Sequence, residues 1–117
     1  MAYVDGFVLP VKKSRLDDYR KLAAMAEGIW KEYGALAFVE CLGDDVPYGE
    51  QTSFPRAVQL QDDEVVVFSW IVYPSREVRD EANRKAMEEP RFKEMGNDWP
   101  FDGKRMIWGG FAPIVGA

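Results

Sequence analysis

A chain of 117 residues, 47% hydrophobic and 30% charged, has the size and composition of one soluble globular domain and can bury roughly two-thirds of its unfolded surface. With no histidine and a single cysteine, it has no means of building a Ser-His-Asp or Cys-His nucleophile, a histidine metal or haem site, or an internal disulfide. The net charge of −5 disfavours nonspecific binding to nucleic-acid backbones.

No apolar run is long enough to span a membrane, and the chain enters a strand-like segment with no signal-peptide pattern, so a cytoplasmic protein is expected. Tyr3 to Val11 reads as the first strand, with Tyr3, Asp5, Phe7 and Leu9 on one face, Val4, Gly6 and Val8 on the other, and Pro10 marking its end. Ser14, with Asp17 three residues on, opens a helix by a weak capping-box pattern. Leu16, Tyr19, Leu22, Ala23, Ala26, Ile29, Trp30 and Tyr33 make its apolar stripe, and Gly34 supplies its stop. Leu36 to Leu42 is the second strand, with Phe38 and Glu40 on one face and Val39 and Cys41 on the other. An acidic, turn-rich loop follows. Ser53-Phe54-Pro55-Arg56 then suits a short helical turn, and Ala57 to Leu60 an extension toward a hairpin. Val65 to Tyr73 is the third strand. Ser75 caps a second helix running to about Glu89, with a thinner apolar face of Val78, Ala82, Ala86 and Met87. Pro90 either ends this helix or begins a short segment closed by Gly96. Trp99 to Gly103 is an aromatic turn, and Met106 to Val115 the last strand, where Gly109-Gly110 marks a bulge or a close backbone approach.

The third strand organises the rest. One of its faces carries Val66, Phe68, Trp70 and Val72; the other carries Val65, Val67, Ser69, Ile71 and Tyr73. Neither face is built for water, whereas a half-exposed strand would alternate apolar and polar residues. The order strand, helix, strand, strand, helix, strand points to an α+β, ferredoxin-like βαββαβ subunit: one domain, an antiparallel sheet, both helices on one face. Leaving a buried-type Phe or Trp exposed forfeits roughly 1.5–3 kcal/mol each, so the second face calls for a partner. A homodimer with the sheets face to face is expected, closed by twofold symmetry.

Five segments resemble the YbaA-like bacterial proteins, a domain-of-unknown-function family in the dimeric α/β-barrel superfamily. They are Asp5 to Pro10, Val39 to Pro47, Ser53 to Val58, Phe68 to Arg76 and Pro100 to Phe111, spread over nearly the whole chain. The resemblance implies a ferredoxin-like subunit in a dimeric α/β barrel and no particular activity. The wider superfamily includes haem-degrading monooxygenases, cofactor-free quinone-forming monooxygenases, lactone isomerases and stress proteins. Its histidine-ligated haem members are a poor guide to a chain without histidine.

Asp5 and Glu40 are the candidate catalytic groups. Each interrupts an otherwise apolar strand row, and a carboxyl desolvated there has a raised pKa suited to proton transfer. The plainer alternative is a carboxylate at a strand rim, or one paired structurally with an arginine. Arg56, beside the rigid Phe54-Pro55 element, is the first candidate for holding an anionic substrate and Arg105 the second; each is otherwise a structural or solvated arginine. Ser69 leaves a small polar gap for a ligand or is a packing choice. Trp70 and Trp108 are candidates for lining a pocket between sheet and helices or between subunits, or are core. Tyr73 would orient a substrate. Cys41 reads as an inert buried thiol. No metal or cofactor is expected.

Two functions fit. One is a cofactor-independent enzyme or binder acting on a small apolar or aromatic molecule, for which the superfamily suggests isomerisation or cofactor-free oxidation by analogy. The other is a non-catalytic, stress-related dimeric binding or interaction module with a filled interior. An enclosed cavity with Asp5 or Glu40 pointing into it separates them.

Overall fold

In a computed structural model that describes residues 1–116, the apolar run at the centre of the sequence forms β3 (Glu64–Tyr73). It pairs with β1 (Tyr3–Lys12) over the whole length of both, from Tyr3 opposite Tyr73 to Lys12 opposite Glu64. β2 (Ala37–Leu42) takes the other edge of β3, and β4 (Ile107–Phe111) the other edge of β1. The sheet is antiparallel throughout, with strand order β2-β3-β1-β4. This is the expected ferredoxin-like arrangement. No helix among the described residues is long and apolar enough to cross a membrane.

Pro10 does not end β1; it lies buried within it, opposite Val66. The Lys13 N–H donates to the Asp63 carbonyl beyond Glu64, so odd-numbered residues of β1 aim their N–H groups at β3. Pro10 faces the other edge, where the β4 pairing has already stopped at Val8 and Ile107. No ladder bond is lost, which is how a strand accepts proline. β4 is shorter than its sequence suggests. Its Gly110 marks a close approach and not a bulge: the register with β1 is continuous, and a Cβ at Gly110 would lie 2.6 Å from the Tyr3 ring and Arg79.

A single 3-10 turn (Lys13–Arg15) leads into α1 (Leu16–Glu32). The capping box expected at Ser14 is not formed; Arg15 stands at the N-cap, without a side-chain cap hydrogen bond. The stripe itself packs as its spacing requires, burying Tyr19, Leu22, Ala26 and Ile29, and Gly34 follows the helix at φ +109°. Ser53 caps the short α2 (Phe54–Ala57) through the Arg56 N–H at 3.1 Å, and Ser75 caps α3 (Arg76–Met87) through the Val78 N–H at 3.2 Å. α3 ends at Met87, and Glu89 caps a separate short helix, α4 (Pro90–Lys93). The hairpin extension expected over Ala57 to Leu60 is absent; Ala57 ends α2, and Val58 and Gln59 form a turn, with Gln59 at φ +52°.

α1 and α3 cover one face of the sheet. Tyr19 packs there with Leu9, Val11 and Val67, and Ala82 with Ile71 and Tyr73. On the opposite face, Val58 packs against Val8 and Val66 and covers one corner. The remainder of that face is open: Phe68 is 42%, Ile107 46% and Phe111 61% exposed.

Candidate functional site

Between the helix layer and the sheet lies a cavity of about 680 Å³, within the size range of small-molecule sites. Its floor is one row of side chains running across all four strands. Glu40 of β2 lies opposite Ser69 of β3, Ser69 opposite Phe7 of β1, and Phe7 opposite Trp108 of β4. The Phe7 and Trp108 rings stack at 18° with centroids 6.3 Å apart. Phe38 and Ile71 of the neighbouring row extend the floor. α1 forms the roof with Tyr19, Leu22, Ala23, Ala26 and Trp30. The wall is completed by Asn83, Ala86 and Met87 of α3 and by Phe92, Lys93, Trp99, Phe101 and Met106 beyond it.

The floor has this shape because of what stands at position 69. Large side chains fill the covered face of β3 on either side, at Val67 and Ile71, whereas Ser69 leaves depth beside Glu40. The Glu40 carboxyl faces the cavity and accepts a hydrogen bond from the Tyr19 hydroxyl at 2.7 Å. Burial raises its pKa above the usual carboxylate range, against the opposing effects of Tyr19 and Ser69. Burial and the neighbouring Glu40 also push the Tyr19 hydroxyl upward, so it remains a phenol and a donor. The expected carboxyl in an apolar row is thus present, desolvated and open to a cavity.

Asp5 is placed differently. It lies in the Phe38–Ile71 row and is fully buried behind the cavity wall, so its expected direct role in proton transfer to a ligand is not supported by its position. The Tyr73 hydroxyl donates to Asp5 Oδ2 at 3.0 Å and Asn83 Nδ2 approaches the same oxygen at 3.5 Å. Asp5 Oδ1 has no hydrogen-bond partner, and Arg79 Nη1 stands 3.6 Å away. Burial raises the Asp5 pKa, more than Tyr73, Arg79 and Asn83 lower it. Tyr73 is likewise sealed, with its hydroxyl pushed upward by burial and by Asp5. It holds Asp5 and does not reach the cavity. Asn83 links this buried cluster to the site: it lines the cavity, and its Oδ1 accepts the Trp30 indole N–H at 3.3 Å.

Two further candidates lie elsewhere. Trp70 does not line the cavity between sheet and helices; it sits opposite Gly6 and Val39 on the open face, its ring 5.6 Å from that of Phe68, the side on which the expected pocket between subunits would lie. Arg56 lies outside this cavity. Its guanidinium donates to the carbonyls of Tyr48 and Gly49 at 2.9 and 3.1 Å and lies over the Tyr48 ring, anchoring the acidic loop. Arg105 is a structural clamp on Glu64 and Asp102. Glu40, Ser69 and Trp108 are therefore brought together, while Asp5 and Tyr73 stand behind them. The sequence reading missed Tyr19, which it counted only as apolar stripe, and Asn83. The spacing Arg79, Ala82, Asn83, Ala86 already put Asn83 on the buried side of α3.

The family model described as "Protein of unknown function (DUF1428)" matches residues 2–103. The chain is 56% identical over 115 residues to the uncharacterized protein YbaA of Escherichia coli strain K12, with 98% of each chain covered, and YbaA of Shigella flexneri matches to the same extent. Among solved structures, Rv0793 from Mycobacterium tuberculosis is similar in fold, with a TM-score of 0.61 over 100% of this chain and 99% of that one, at 13% identity.

Proposed function

The chain belongs to the DUF1428 family, whose description assigns no activity, and from its cavity we propose that it binds a small aromatic molecule, with Glu40 as the proton-transfer group. The observation that carries this reading is a carboxyl of raised pKa in the floor of a mostly apolar, aromatic-lined cavity. Glu40 in its carboxylate form takes a proton from an activated C–H or O–H of the bound molecule. As the acid it returns the proton, to the same atom or to another one in reach, which in the second case is an isomerisation. Such transfer by a positioned carboxyl is worth about 10²–10⁴-fold in rate. Tyr19, held as a phenol, orients the carboxyl by its hydrogen bond.

The test uses 2-naphthol as binding probe and 2-tetralone as carbon acid. Calorimetry is expected to give saturable binding of 2-naphthol at one site per chain, abolished by Ala26→Phe, which fills the roof. Glu40→Gln is expected to keep that binding and to slow deuterium exchange into 2-tetralone about 100-fold. Absence of binding, or exchange that Glu40→Gln leaves unchanged, would overturn the reading.

We propose also that a second copy of the chain covers the open sheet face, forming a homodimer. Phe68, Ile107 and Phe111 lie exposed on that one face, and each large apolar side chain buried contributes roughly 1.5–3 kcal/mol.

A further inference from the structure

We infer that the molecule taken by this cavity is an aromatic anion, its ring among the aromatic walls and its negative group at the mouth against Lys93. The inference rests on the reading of the cavity as a binding site and adds the chemical class of what enters it. Four polar residues other than Tyr19 and the tryptophans line the space: Glu40, Ser69, Asn83 and Lys93. The first three are already engaged. Glu40 is bonded to Tyr19, Ser69 lies against Glu40 across the strands, and Asn83 is held between the Trp30 indole and Asp5. Lys93 differs. It is exposed, at the end of α4, and is the only cation among the described lining residues. Nearby acids are committed elsewhere: Glu89 and Glu32 to Arg91, and Asp98 to Arg15. Its exposed neighbour Glu94 does not line the cavity.

The result is a polarised site, with an acid on the floor and a cation at the rim. A ligand anion turned inward would meet Glu40 at low dielectric, where like charges repel strongly. Turned outward, it meets an ammonium whose aliphatic stem can lie along the apolar rim. The chain as a whole carries −5 and repels anions at a distance, so Lys93 supplies the local attraction. This arrangement fixes which end of the ligand reaches Glu40: the edge of the ring system opposite its negative group.

Calorimetry at low ionic strength with 2-naphthoate and 2-naphthol, on the unaltered protein, Lys93→Gln and the exposed α1 control Lys21→Gln, tests this. The ratio of naphthoate to naphthol affinity is expected to fall about threefold in Lys93→Gln, the scale of an exposed ion pair. It should fall further in Lys93→Glu and stay unchanged in Lys21→Gln. Naphthol affinity, measured in each of the four proteins, is the reference that removes any change in the apolar wall from the ratio. A ratio that Lys93→Gln and Lys93→Glu leave unaltered overturns the inference while naphthol binding preserves the cavity reading. Failure of both compounds to bind the unaltered protein overturns both.

Discussion

Glu40 and Asp5 are two carboxyls in adjacent rows of one sheet, and burial raises both, yet only one meets the cavity. The difference is their neighbours. Glu40 stands beside the small Ser69, whereas Asp5 is enclosed by Tyr73, Asn83 and Arg79. A raised native pKa has a definite cost in stability. Between the ordinary glutamate pKa and the raised native one, the folded chain binds more protons than the unfolded chain, so stability falls as pH rises through that window. Glu40→Gln removes this loss. Thermal melts from pH 4 to 8 are expected to show the variant equal to the parent at the acid end and more stable at neutral pH. A variant less stable at pH 8 than at pH 4, relative to the parent, would show that Glu40 is ionised in the fold at no cost.

α4 forms part of the cavity wall because a cluster of charges ties it to α1. Glu89 caps α4 through the Arg91 N–H at 3.1 Å, accepts from the Tyr33 hydroxyl, and pairs with Arg91, which also reaches Glu32 of α1 at 2.7 Å. Phe92 adds contact with Trp30, ring centroids 5.6 Å apart. Arg91, then Tyr33, draws the Glu89 pKa down to about 2. Its contribution is therefore complete above the ordinary glutamate pKa and is lost as pH falls from there toward about 2. Glu89→Ala should raise hydrogen–deuterium exchange over residues 90–98 at pH 7 while the amides of β1 and β3 stay protected. Unchanged exchange in that segment would mean that aromatic packing alone holds it.

For the whole molecule, the decisive feature is a sheet covered by helices on one face and only in part on the other, by Val46, Phe54, Val58 and Leu60. Phe68, Ile107 and Phe111 lie exposed on that second face, where a second copy would bury them. A charge placed there opposes its burial far more than it disturbs a side chain already 61% exposed. Phe111→Asp is therefore expected to keep the far-ultraviolet spectrum of the parent and to run as a monomer in size-exclusion chromatography with light scattering, where the parent runs as a dimer. A monomeric parent would remove the dimer from the account and leave the cavity in place.

The sequence by itself determined the elements and the faces of the strands. Period-two alternation in β1, β2 and β3 put Asp5 with Phe7, Glu40 with Phe38, and Ser69 with Ile71, as found. The stripe of α1 and the serines before α2 and α3 were legible for the same reason: the forces that set them act within a few residues. What only the tertiary structure decided was the pairing of distant segments. The register across β1 places Trp108 over the cavity, whereas alternation puts Trp70 on the open face, a distinction that residue type does not carry. Asp5 is sealed by Arg79 and Asn83, more than seventy residues away. Arg56 is used up by two backbone carbonyls, and the wall from Phe92 to Met106 closes only through its contacts with α1 and the sheet. Those outcomes depend on side chains brought together by the packed fold, so no local pattern announces them.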